Sequence, residues 1–482
     1  MLVTKKTSVS NTHEMDRKNS NFSPLTSAKL PKFPGWLLVL GPGIIWMALA
    51  QGSGELIWWP YLIAKYGLGL LFLLIPACLL QYPLNYQIGH YTAMTGESIW
   101  QGFVRFNRNF SIGLWILMGI SFLWFGAFAS AGGTALAALT NFPENWSSKD
   151  QSLFWGLLSI AIFFIALRFS RSAYTLIERT MIIVAITTVT GLIIACTHES
   201  VLEKIPEFSS ALFSPSWPED RIWDAADTTK LLTAITFAGL GGFWALFYSM
   251  WIREKGIGMA GLRKLKKGNV IGCKIIAESK NIKKWKKFLW ADAGIGVFGN
   301  LFTTLLTCLL AYVVLFPEAI LPEKYEIAVV QAKFFELQWG AIGRSLFLLV
   351  AAAFLADTWL TTVDAICRVN TDMVHRIFPQ SQKWSEKKCY HGFLYGFTVI
   401  TIVTMFLEEP GRLIQISAVI GFLGTVIFSI IILIINHIYL PIWSNPQARP
   451  GRIAGIGLGV ASFIYLLLAS AYLAIQSELI VF

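Results

Sequence analysis

Residues 40–55 read Leu40-Gly41-Pro42-Gly43-Ile44-Ile45-Trp46-Met47-Ala48-Leu49-Ala50-Gln51-Gly52-Ser53-Gly54-Glu55, and apolar chain resumes after them. A polar pentapeptide with two glycines and a carboxylate thus interrupts an apolar run of membrane-spanning length near its middle. Glycine is a poor helix former, and a carboxylate at mid-membrane is expensive unless it is paired, hydrated or functional. A second cluster, Phe237-Ala238-Gly239-Leu240-Gly241-Gly242-Phe243, falls in the middle of an apolar run five spans later. Two interruptions at that spacing are expected when spans one to five and six to ten are inverted repeats, the unwound backbone of the broken helices facing a central cavity. For the second cluster the alternative is that Gly239, Gly241 and Gly242 only let helices pack closely.

The surrounding composition agrees. Of 482 residues, 55% are apolar and 14% charged, against roughly 25% charged in soluble proteins. With 35 Phe, 19 Trp and 14 Tyr and a mean hydropathy of +0.59, the outer surface is matched to lipid, which excludes a soluble enzyme. The expectation is an all-α polytopic membrane protein with no cofactor. The net charge of +11 has no soluble domain on which to form a nucleic-acid face, so no nucleic-acid partner is expected. Six cysteines without a CxxC pair imply neither a disulfide framework nor a zinc site. Residues 1–33 are polar and lack an apolar h-region, so they read as a disordered cytosolic tail rather than a signal peptide, leaving 34–482 as the transmembrane domain.

Apolar runs long enough to cross ~30 Å of hydrocarbon occur at about 36–64, 67–88, 112–139, 152–168 and 174–196, then 231–252, 288–316, 343–367, 392–407 and 413–440, with an eleventh at 453–475. Repeat one is therefore about 36–196 and repeat two about 231–440, plus one extra C-terminal helix. With the N-terminus cytosolic, the Lys and Arg residues divide 30 inside to 9 outside, which places the C-terminus outside and points to a plasma (inner) membrane. The run Arg263-Lys264-Leu265-Lys266-Lys267, with Lys283, Lys284, Lys286 and Lys287, either determines this topology or meets anionic membrane lipid.

Other polar groups lie at membrane depth. Asp357 and Asp364 are seven residues apart, hence on one helix face, with Thr358, Thr361 and Thr362 between them and Arg368 four residues beyond. Asp364 reads as the partner of Arg368. Asp357 has no such partner, so it and the threonines are candidates for a coupling proton or Na⁺, or for a hydrogen-bonded structural role. Asp292 reads as an interfacial acid, and Gln81, Asn85 and Gln87 as interhelical glue. His90 and His437 lack partners at ligand spacing, and there is no HExxH, GxSxG or P-loop.

Several stretches together resemble the Nramp family of proton-coupled divalent metal transporters. They are Gly41-Pro42-Gly43, Leu79-Leu80-Gln81, Ile88-Gly89 with Thr95-Gly96-Glu97, Gly133-Thr134-Ala135-Leu136, Glu178, Asp292 with Gly294 and Asn300, and Ala352-Ala353 with Thr358 and Thr362. The resemblance covers roughly 34–440 and implies a LeuT-type fold with broken first and sixth helices and a secondary transporter, a symporter, as the activity. It also implies where the family's residues fall, and several are missing. The first-break Asp and Asn stand at Gly52 and Glu55, the Met-Pro-His motif at Gly241-Gly242-Phe243, the tenth-span Gln at Ala418, and the third-span acids at Ala127 and Ser130. Without Met or His, the donors that remain are oxygens, which favour a proton or a hard cation such as Mg²⁺ or Na⁺ over Mn²⁺ or Fe²⁺.

The candidate substrate or ion site is then Gln51, Gly52, Ser53, Glu55, Gly239, Gly241, Gly242 and Phe243, with Glu55 as the metal ligand and Asp357, Thr358, Thr361 and Thr362 as coupling-ion candidates. Ion-coupled transport of a small organic solute is the alternative, because a glycine-lined site beside Phe243 and Trp244 is roomier than a metal cage. A membrane sensor is disfavoured by the absence of a sizeable soluble output domain. An intramembrane enzyme is disfavoured because no catalytic constellation is present.

Overall fold

The computed structural model describes residues 25–477 except 171, 215–216, 218–221, 263–271, 277–278 and 323–326, and without the side chains of Leu37, Ser53, Gly54, Glu55, Ser279, Ile327, Ala328 and Gln382. Among the described residues nine helices are long and apolar enough to cross a membrane. They are Leu71–Thr95, Arg108–Thr140, Ser148–Phe169, Ala173–Ala195, Ala225–Lys255, Lys280–Val314, Lys333–Ile377, Pro410–Trp443 and Arg452–Gln476. Two further helical segments, Pro42–Tyr66 in three pieces and Glu386–Met405, occupy the places of the expected first and ninth spans. The protein is an integral membrane protein of about eleven spans. Helices dominate because lipid offers no partner to a backbone N–H or C=O, so each span must satisfy its own.

Burial sorts the spans into a centre and a rim. In the most apolar window of the sixth span 89% of residues are buried, and in the eighth 78%, against 33% in the fourth and fifth and 28% in the eleventh. The sixth and eighth spans are therefore the inner elements, while the fourth, fifth and eleventh turn long apolar faces to lipid. The eighth span packs along the third and the fifth, and the first packs against the seventh and fifth.

The two expected breaks differ in form. In the sixth span the helix Thr228–Phe237 stops, Gly239 and Gly242 take φ of +95° and +61°, and a 3₁₀ stretch Gly242–Phe247 leads into the helix Tyr248–Lys255. Those two positive φ values are what glycine permits at no steric penalty. The first span does not unwind in this way. Its α-helix Pro42–Ala50 widens into a π-helical segment, Gln51–Trp58, before Trp59–Tyr66. Pro60 accounts for part of the irregularity, since it has no N–H to donate to the carbonyl of Leu56 and its ring crowds that oxygen in a regular helix. The carbonyl is taken instead by the side-chain amide of Gln331, from the short helix Ile327–Gln331.

The expected disordered tail of 1–33 needs correction at its end. Residues 1–24 lie outside the described residues, but Thr26–Lys29 (β1) pairs in parallel with Cys273–Ile276 (β2), from Thr26 opposite Cys273 to Lys29 opposite Ile276. Asn281 then donates to the carbonyls of Leu30 (3.2 Å) and Pro31 (2.8 Å) and accepts from Phe33 N (3.2 Å). The Phe33 ring lies edge-on to Trp285 at 5.0 Å. Backbone groups that would be solvated in a free tail are thus satisfied by the loop between spans six and seven and by the first turns of the seventh.

Candidate functional site

The seventh and eighth spans meet the π-helical segment of the first. Gln51 is buried, and its Nε2 donates to Thr303 Oγ1 at 3.2 Å, while its Oε1 has no hydrogen-bond partner. Gly52 faces the eighth span so closely that a Cβ would overlap Thr358 Oγ1 and approach Phe354 O at 3.3 Å. Thr358 Oγ1 itself donates to Phe354 O at 3.1 Å. The expected ligands Ser53 and Glu55 have side chains outside the described residues, so the assignment of a metal to Glu55 has no geometry attached to it.

At the sixth break the glycines make contact surfaces rather than an open space. Gly239 lies against the Gln81 side chain, Gly241 against the Thr236 carbonyl, and Gly242 against Gly421 of the tenth span. Phe243 is fully buried, packed against Trp100, Phe428 and the bare face of Gly424. These four expected site residues thus pack the break, and none of them lines the cavity described next. Trp244 Nε1 donates to Thr362 Oγ1 at 3.0 Å, tying the break to the eighth span.

A small cavity of about 20 Å³, room for about one water, lies between the first, fifth, seventh and eighth spans. Gln51, Thr188, Thr303 and Thr307 stand among its lining residues, and its apolar wall includes Phe335, Phe347 and Phe354. The oxygens of Gln51 (Oε1) and Thr188 (Oγ1) are buried without a hydrogen-bond partner among the described residues. Thr188, Thr303, Thr307 and the phenylalanines were not among the residues expected from the sequence. The only local signal was hydroxyls standing in otherwise apolar spans, with Thr303 and Thr307 one helical turn apart.

One helical turn beyond Phe354 stands Asp357. It is 1% exposed, and neither carboxyl oxygen has a hydrogen-bond partner among the described residues; the hydroxyl of Thr361, a turn further on, has none there either. The other spanning aspartates differ. Asp364 is bonded to Arg368 Nε at 2.8 Å and to the Tyr390 hydroxyl at 2.6 Å, as its spacing from Arg368 implied. Asp292 accepts from the Tyr248 hydroxyl at 2.6 Å, buried rather than interfacial. Asp227 is held by Lys65 at 2.7 Å, Lys230 at 2.9 Å and the Tyr66 hydroxyl at 2.6 Å. Gln87 behaves as interhelical glue, donating to Ala454 O of the eleventh span at 2.8 Å. Among the described residues no group of three or more His, Cys, Asp or Glu is placed to hold a metal ion.

Layers of ion pairs close both ends of this region. On the side of the N-terminus, Arg253 pairs with Asp372, Lys255 with Glu178 at 2.7 Å, and Arg368 with Glu254 at 3.0 Å. On the opposite side Lys65 bridges Asp227 to Asp224, and that bond holds the Asp224 carboxyl below the usual carboxylate range. Interactions among charges are strong only where water is scarce, so the buried members of these layers seal more firmly than the exposed ones.

No family model and no curated protein matches the chain. Solved structures do. The Eremococcus coleocola manganese transporter, in complex with an aromatic bis-isothiourea compound, superposes with a TM-score of 0.66 at 14% identity, covering 95% of this chain and 91% of the other. MhsT in complex with L-phenylalanine superposes at 0.52 with 16% identity, covering 91% and 99%. At these identities the likeness is one of fold. The chain therefore has the LeuT-type architecture that its resemblance to the Nramp family implied, with a broken first and sixth helix packed around the eighth.

Proposed function

We propose that the protein is a secondary transporter, not an enzyme, that moves a cation by alternating access, and that Asp357 carries the transported or coupled ion. The observation that carries this reading is the isolation of Asp357, a buried carboxylate without a partner in a chain whose other spanning aspartates are bonded. A buried charge without compensation is expensive to keep, and such groups in membranes belong to ion and proton pathways. The donors on its own helix and in the neighbouring cavity are oxygens, from Thr361 and from Gln51 and Thr303, which suit a proton, Na⁺ or Mg²⁺ better than Mn²⁺ or Fe²⁺. Uptake into proteoliposomes with each ion in turn tests this. The wild type should take up a hard cation or move protons, and Asp357→Asn should fold yet lose that flux. Unchanged flux in Asp357→Asn would transfer the role to Glu55, which Glu55→Gln then examines.

A second reading rests on the apolar wall of the cavity. Phe335, Phe347 and Phe354 suit the apolar body of a small organic solute moved together with H⁺ or Na⁺, which requires the cavity of about 20 Å³ to widen during the transport cycle. Competition by amino acids and amines in the same uptake assay separates the two.

The 30 to 9 distribution of basic residues supports a cytosolic N-terminus in a plasma (inner) membrane, with the C-terminus outside. Cys273 is only 3% exposed and cannot report on this. Its neighbour Lys274 is exposed, so Lys274→Cys should react with an impermeant maleimide only after the cells are opened.

A further inference from the structure

The ends of the eighth and ninth spans leave an open groove of about 550 Å³ on the side of the N-terminus, lined by Val374, Trp384, Lys388, Cys389, Gly392 and Phe393. Three features place it at a membrane surface. The ninth span runs Glu386–Met405, and on its lipid side Val399 and Val403 are 61% and 56% exposed, so that face meets acyl chains. Between the end of the eighth span and the start of the ninth, Phe378 and Trp384 are exposed, as aromatic residues are at the headgroup level. Between these levels the groove passes from a charged mouth to an apolar floor.

The mouth is basic. Lys388 lines the groove, and Lys383 stands exposed in the turn before it. Neither has an acidic partner among the described residues, and both lie at the positive end of a twenty-residue helix. The floor is Val374, Cys389, the Cα face of Gly392 and the Phe393 ring, with nothing within 4 Å of where a Gly392 side chain would begin. An apolar channel continuous with the lipid phase, with cations at its interfacial end, matches one amphiphile: a single phospholipid with an anionic headgroup.

We propose that this groove is a binding site for an anionic phospholipid, its headgroup phosphate on Lys388 and Lys383 and one acyl chain along Cys389, Gly392 and Phe393. The site lies on the outer surface of the bundle, apart from Asp357 and its cavity, so it stands or falls independently of the transport reading.

The test uses the full-length protein in mixed micelles with palmitoyl-oleoyl-phosphatidylglycerol or the matching phosphatidylcholine, the retained lipid being counted by native mass spectrometry. Phosphatidylglycerol should be retained in preference. Lys388→Gln should lower its apparent affinity roughly fivefold, the effect of one basic residue at an anionic surface. Gly392→Phe should lower it too, by filling the floor, and has open space in which to fold. Equal retention of the two lipids, or unchanged retention in either variant, overturns the proposal. So does displacement of phosphatidylglycerol by inorganic phosphate alone, which would mark a simple anion site without an acyl groove.

Discussion

Gly52 of the first span leaves no room for a side-chain carbon beside Thr358 of the eighth, so the two spans meet backbone to side chain at mid-membrane. The contact joins the irregular segment of the first span to the helix that bears Asp357. Movement of one span is therefore felt by the other at this point.

Gly52→Ala should lower the thermal stability of the purified protein by about 1–3 kcal/mol, the usual effect of overpacking a tight contact. Thr358→Ala in the same chain removes the overlapping hydroxyl and should restore most of the loss. If the double variant melts with Gly52→Ala, the strain lies against Phe354 O instead.

Asp357→Asn should leave the protein as stable as the wild type or more so, because it replaces a buried carboxyl group that has no hydrogen-bond partner among the described residues with a neutral group of the same shape. Flux in proteoliposomes should nevertheless fall to background. A matched loss of stability and flux would point to a structural aspartate, and the melting curve is the control that decides.

Arg368→Met should be among the more damaging changes. It leaves Asp364, which is 1% exposed, with only the Tyr390 hydroxyl and also releases Glu254, and breaking a buried pair costs about 3 kcal/mol or more. Lys333→Met removes a pair of similar length, 2.7 Å to Glu318, but both groups are well exposed and the cost should stay below about 1 kcal/mol. Denaturation midpoints of the two variants compare burial directly.

Gln331→Leu should cost about 1–2 kcal/mol by leaving the Leu56 carbonyl without its side-chain donor. Pro60→Ala supplies a backbone N–H to the same oxygen. In that background Gln331→Leu should cost markedly less, and a thermal-melt double-mutant cycle reads the coupling. Additive effects would mean that the amide and the proline act on different features.

Mn²⁺ should raise the melting temperature no more than Mg²⁺ at equal concentration, since a ligand stabilises the state that binds it and no thioether or imidazole is present at the expected first or sixth break to favour manganese. A strong stabilisation specific to Mn²⁺ would contradict the oxygen-only site.

The spans, the two interruptions and the inner position of the sixth helix were legible along the chain, because hydrophobicity and glycine act locally. A segment enters lipid when its own residues are apolar and its backbone can bond to itself, and no distant residue alters that. The fate of each polar group was decided elsewhere. Spacing already set Asp364, four residues before Arg368, apart from Asp357, but only packing brings the Tyr390 hydroxyl of the ninth span to Asp364. Phe243, read as part of a binding site, fills the hollow left by Gly424 of the tenth span. Residues 26–29 found their strand partner at 273–276, and Leu56 its amide at Gln331. Each of these pairings joins residues far apart in the chain, so local pattern had no means of naming them; only the packing of one helix face on another brings such groups within the ~3 Å that a hydrogen bond requires.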